Sequence, residues 1–202
     1  SVLAGAVVLL LFPGIQSDVR EVILHTLPFW SFILYFINRG TGFTRALFIN
    51  CDHSLLTYSF YKQPKTVLKL FQIRLREITK INAVPAMILG LGLDGLLLIS
   101  GGGTWIEYLV ILVTLLSMSL FFSIHYLTLY YLLQPFNAGT EIKSGTYQFI
   151  AGATYFVCYL LMKVELPTIL FGLLCIAFCL IYSIIACALV YQLAPKTFRI
   201  RQ

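Results

Sequence analysis

The chain has 202 residues, of which 59% are hydrophobic and 11% charged, and its mean hydropathy is +0.90. A soluble domain carries about 25% charged residues, so fourteen bases and eight acids cannot clothe a water-soluble globule of this size. An ordinary soluble enzyme and a disordered tail are excluded, and a polytopic, all-α membrane protein with a lipid-facing exterior remains.

Taken in chain order, residues 2–12 are apolar and stop at Pro13-Gly14. At ~1.5 Å per residue they cover about half of a ~30 Å hydrocarbon core. They are expected to be the outer end of a truncated span that begins before residue 1. The second expected span is 22–37, interrupted by His25 and Pro28. The third is 83–99, followed by Gly101-Gly102-Gly103. The fourth, 106–133, is long enough to tilt or project. The fifth is 147–162. The sixth is 168–193, entered through Pro167 and closed by Pro195. That makes about six spans in one transmembrane domain covering 1–202.

The bases give the orientation. If residues 38–82 are cytoplasmic, alternating the spans puts 134–146 and the C-terminus on the same side. Twelve of the fourteen bases then face the cytoplasm, and only Arg20 and Lys163 do not. A plasma-membrane protein with several passes fits this split. The net charge of +6 is topogenic, and no nucleic-acid partner is expected.

Residues 38–82 are too long for a passive connection. They open with Asn38-Arg39-Gly40-Thr41-Gly42, which lacks the GK[ST] of a phosphate-binding loop. Asn50 or Asp52 can cap a helix start. A short helix over 52–61 would then expose Leu55, Leu56, Tyr58, Phe60 and Tyr61. Pro64 stops it or begins the next helix. From Lys65 onward, Lys65, Lys69, Arg76 and Lys80 cluster within about 60° of a helical wheel, opposite Val67, Leu68, Phe71, Leu75 and Ile78. This basic amphipathic helix is expected to lie along the cytoplasmic interface, its bases toward anionic headgroups. Arg74 falls inside the apolar arc. It either snorkels or meets a carboxylate of a partner protein.

Catalytic chemistry finds no support in the motifs. His25, His53 and His125 lie in separate segments without partners at metal-ligand spacing. The eight acids are scattered singly, and five cysteines in no CxxC pattern read as small apolar membrane residues. No nucleotide-binding or catalytic motif occurs, so the chain is not expected to be an enzyme or to hold a cofactor or metal. Asp94 stands out as an ionisable residue inside the third span. It shares a helix face with Ala86 and Gly90, a strip suited to close packing. A buried hydrogen bond, or an ion pair with Arg20 or Lys163, is one reading; a role in substrate or proton passage is the other.

Two spans, a cytoplasmic helical elbow and four further spans, with residues 45–82 reading RALFINCDHSLLTYSFYKQPKTVLKLFQIRLREITKIN, resemble the permease subunits of bacterial ABC-2-type ABC exporters. The likeness is greatest to permeases linked to peptide-toxin or bacteriocin export. The resemblance implies a coupling helix, here 52–61, that docks on a separate P-loop ATPase subunit carrying ATP and Mg. It also implies a second permease copy or paralogue, and alternating access as the transport mechanism. The family's extracellular re-entrant hairpin before the last span is not evident, because Lys163-Val164-Glu165-Leu166-Pro167 is too short for a full one. A secondary transporter using Asp94, and a non-transporting scaffold or regulatory subunit, are the alternatives.

Overall fold

The computed structural model describes residues 13–56, 58, 63–137 and 141–198. The expected truncated span at 2–12 lies outside the described residues.

The described chain is helical: α1 (Pro13–His25), α2 (Leu27–Ile37), α3 (Gly40–Leu47), a π-helical turn (Phe48–Asp52), α4 (His53–Leu55), α5 (Pro64–Ile99), α6 (Trp105–Leu133), α7 (Gly145–Leu161) and α8 (Thr168–Thr197). Among the described residues, α5, α6 and α8 are each long and apolar enough to cross a membrane. The pair Val19–His25 and Leu27–Leu55, bent by 61°, makes a fourth crossing if it is one broken span. By helix length and hydropathy the chain is a multi-pass membrane protein.

α6 is the axis of the bundle and packs along both α5 and α8. Its start is fixed by a capping box. The Thr104 side chain accepts from the Glu107 amide, and the Glu107 carboxylate accepts from the Thr104 amide, which satisfies two otherwise free donors. Its elbow end is enclosed on all sides: Phe121 to Tyr131 are buried without interruption. A helix buried all round needs no polar face. The turn that feeds α6 holds Gly101 and Gly102 at φ of 99° and 76°, a region L side chains rarely adopt.

α5 differs from expectation. The basic amphipathic segment and the third span are one unbroken helix of 36 residues, about 54 Å long at ~1.5 Å per residue. Its buried positions, Val67, Phe71, Arg74, Ile78, Asn82, Ala86, Gly90, Leu93 and Leu97, form a single stripe from end to end. Because the stripe does not change face, the basic half continues the span and is not a separate helix folded along the interface. Pro64 occupies the first turn, where a missing N–H is harmless. α8 also runs further than expected, through Pro195 to Thr197. The Phe198 amide closes it by donating to the Ala194 carbonyl at 2.9 Å.

Two buried clusters result. One, around Leu27, Leu93, Leu97, Ile111, Leu115 and Phe122, is mostly aliphatic in its buried members and lies in the half of the bundle far from the elbow. The other, around Phe48, Phe71, Tyr130, Tyr131, Phe136 and Phe198, is aromatic and lies beneath the elbow.

Candidate functional site

The elbow, α3 through α4, is fastened to the bundle at two points. At its entry Gly40 meets Tyr126 of α6 so closely that an added Cβ would lie 2.6 Å from the Tyr126 Cβ. The Arg39 amide donates to Asn82 Oδ1 of α5 at 3.0 Å, and Asn82 Nδ2 donates to Ser123 Oγ of α6 at 2.9 Å. The Ser123 hydroxyl in turn donates to the Ser119 carbonyl at 2.9 Å. This polar chain joins three elements inside an otherwise apolar bundle, where an unpaired group would be costly.

At its far end the elbow is held by charge. Asp52 is fully buried, and Arg74 is 8% exposed. The Arg74 guanidinium takes the Asp52 carboxylate with both terminal nitrogens, Nη1 donating to Oδ2 at 2.8 Å and Nη2 donating to Oδ1. Nη1 also donates to Tyr131 Oη at 2.7 Å, while the Tyr130 hydroxyl donates to Asp52 Oδ2 at 2.5 Å. A bidentate guanidinium–carboxylate pair is the strong, directional form of an ion pair. Aromatic rings close over it. Tyr131 lies under the Arg74 guanidinium at 5.6 Å and stacks on Phe198 at 4.7 Å, and Phe48 stacks on Phe136 at 5.4 Å. Elbow, α5, α6 and the end of α8 thus meet around one carboxylate.

This geometry corrects several expectations. Asp52 does not cap a helix; its side chain makes no capping bond and turns into the bundle. Asn50 donates back to the Ala46 carbonyl at 2.9 Å instead of capping. Arg74 neither snorkels nor waits for a foreign carboxylate, because this chain supplies Asp52 across 22 positions. Among the described residues of the expected 52–61 helix, His53–Leu55 is α-helical, and the Tyr58 amide donates to the Leu55 carbonyl at 3.2 Å in a turn. Leu55 and Leu56 are half-buried against the aromatic cluster and not openly exposed. Tyr58 is 58% exposed. Phe60 and Tyr61 lie outside the described residues.

Lys65, Lys69, Arg76 and Lys80 sit on the open face of α5, with Lys80 paired to Glu77 at 2.8 Å. Asp94 is half-buried and has neither of its expected cationic partners. Arg20 instead pairs with Glu107 at 3.2 Å and donates to the Gly102 carbonyl, and Lys163 lies 4.8 Å over the Tyr159 ring. Asp94 Oδ1 has no hydrogen-bond partner among the described residues. The strip beside it does pack closely: Gly90 sits against Leu112 of α6, whose Cδ1 would lie 2.8 Å from an added Cβ.

Sequence reasoning missed the Asp52–Arg74 pair, although Arg74 inside an apolar arc was a signal that a buried acid must exist. It also missed the hydrogen bonds of His125, whose Nδ1 meets the Tyr182 hydroxyl at 2.8 Å and whose Nε2 meets Thr154 Oγ1 at 2.9 Å. No local spacing connects those three positions. Among the described residues no three His, Cys, Asp or Glu side chains are grouped to hold a metal ion. Comparison of the chain with protein-family models, with curated proteins and with solved structures finds no match.

Proposed function

We propose that the chain is the membrane-spanning permease subunit of an ATP-driven exporter. In this reading it crosses a bacterial plasma membrane about six times, with the elbow and the C-terminus cytoplasmic. It works with a second copy or paralogue and with a separate P-loop ATPase that carries ATP and Mg. The supporting observation is the double fastening of the elbow. A displacement of the surface around His53 to Tyr58 passes through Asp52 to Arg74 on α5 and to Tyr130 on α6. At the other fastening it passes from Arg39 to Asn82. Both receiving helices continue into the membrane, so a push on the elbow becomes a tilt of the spans. Closure of the ATPase would draw paired elbows together and open the spans outward, a rigid-body form of switching.

One observation favours a secondary transporter coupled through Asp94: its Oδ1 lacks a partner in the third span. A scaffold or regulatory subunit has no comparable support.

Affinity purification of the chain from its native membrane tests the reading. Co-purification of a stoichiometric P-loop ATPase, released by Tyr58→Asp on the exposed elbow surface, is the expected result. Transport activity of the chain reconstituted alone, abolished by Asp94→Asn, would replace the exporter reading with the secondary transporter.

A further inference from the structure

In the half of the bundle away from the elbow, α7 packs chiefly on α2 and stands off from α6 and α8. The gap is a cavity of about 500 Å3 lined by α6, α7, α8 and the loop at Val164 and Leu166. Along α7 it runs from Ile150 to Leu161, twelve residues with a rise of about 16 Å. That is close to half of a ~30 Å hydrocarbon core, the depth of one leaflet.

The lining is apolar apart from Thr154, and the hydrogen bonds there are internal. The Thr154 hydroxyl donates to the Ile150 carbonyl at 2.8 Å and accepts from His125 Nε2. His125 Nδ1 then accepts from the Tyr182 hydroxyl. With these roles assigned, neither nitrogen of His125 and no donor of Thr154 remains for a polar ligand. This stretch of the wall therefore offers a polar ligand no donor. Water has too few polar partners to settle in such a space, and an empty space of this size would forfeit the dispersion contacts of its walls. An apolar cavity of ~150 Å3 accommodates benzene, so one of about 500 Å3 holds on the order of 18 carbons.

We infer that this cavity is a binding site for a single lipid acyl chain, its methyl end toward Ile150, its side against Thr154 and its headgroup at the loop of residues 163–166. The length, volume and donor-free wall match one leaflet-deep hydrocarbon tail. The site is independent of what the elbow docks on.

Tryptophan quenching by brominated acyl chains tests it. In a Trp30→Phe/Trp105→Phe background, Phe171→Trp places a reporter on a buried wall of the cavity, 4% exposed in the unaltered chain. Ile184→Trp places a control on the open face of α8, where Ile184 is 72% exposed. The protein is reconstituted in phosphatidylcholine vesicles with rising fractions of dibromostearoyl phosphatidylcholine. The Phe171→Trp reporter meets one lipid, so its quenching is expected to rise in proportion to the brominated fraction, while the control, which faces several lipids, is half-quenched at a lower fraction. Ala153→Phe, which fills the cavity, should abolish quenching of the Phe171→Trp reporter. Native mass spectrometry of the unaltered chain, which needs no reporter, should retain one lipid per chain. The inference is overturned if the Phe171→Trp reporter is unquenched, if it follows the control curve, if Ala153→Phe leaves it unchanged, or if the unaltered chain retains no lipid.

Discussion

Beneath the elbow, Asp52 and Arg74 form an ion pair with side-chain exposures of 0% and 9%; at the opposite end of the bundle, Arg20 and Glu107 form one with exposures of 38% and 16%. The first pair is ringed by aromatic side chains and shares hydrogen bonds with two tyrosines. The second caps a turn and opens to its surroundings. Packing differs by helix: Gly40 at the elbow is pressed on Tyr126 and Gly172 of α8 on Val110 and Thr114, whereas Gly152 of α7 has nothing within 4 Å of an added Cβ. The elbow and the seam of α6 with α8 are the rigid part, and α7 is the soft part, loosely seated beside a cavity. In the proposed exporter such a bundle receives a displacement at the elbow and yields at α7.

The largest test of that contrast is Asp52→Ala. It leaves the Arg74 charge buried without its carboxylate and should destabilise the folded chain by about 3–5 kcal/mol, read as a lowered thermal midpoint in detergent. Asp52→Leu combined with Arg74→Met should recover much of the loss, since apolar replacement of a whole buried pair is often neutral. If the double variant is no better than the single one, the pair does not act as a unit.

Glycine substitutions sharpen the packing difference. Gly40→Ala should cost about 1–3 kcal/mol through overpacking against Tyr126. Gly152→Ala should be neutral or stabilise by up to about 1 kcal/mol, because a helical glycine is replaced in open space. Equal effects at the two positions would erase the distinction between the rigid and soft parts. Arg20→Gln should lower stability by no more than about 1 kcal/mol, as exposed pairs do, with the shift shrinking in high salt. Asp94→Asn should change stability least, within about 0.5 kcal/mol, because its Oδ1 gives up no hydrogen bond. A large loss there would mean that Asp94 has a partner in the assembled protein.

Much of this architecture is legible in the sequence because long apolar runs in a chain with few charges have few alternatives. α6 begins and ends within a residue of its expected bounds, since a long apolar run follows Gly101-Gly102-Gly103; the Thr104–Glu107 cap that starts it was not read. The basic face of α5 was likewise readable from its 3.6-residue period. The continuity of α5 was not read, because the charge change near Ile81 resembles a boundary. The stripe from Val67 to Leu97 nevertheless crosses it without a break. The elbow was the least legible. Asn50 and Asp52 are good capping residues locally, but a buried guanidinium 22 positions away outweighs a cap worth about 1 kcal/mol. The hydrogen bonds of His125 were illegible for the same reason. Its partners, Thr154 and Tyr182, become neighbours only after α7 and α8 fold back on α6.

In the proposed exporter, the elbow surface around Tyr58 carries the load from a partner ATPase. A photoreactive side chain at Tyr58, with the same group at Ile184 as a membrane-facing control, tests it most directly when activated in native membranes with and without ATP. The account predicts that the Tyr58 position forms an adduct with a P-loop ATPase, that ATP changes its yield, and that the Ile184 position forms none. Adducts to lipid alone at both positions, or to an ATPase from Lys80 but not from Tyr58, would contradict it.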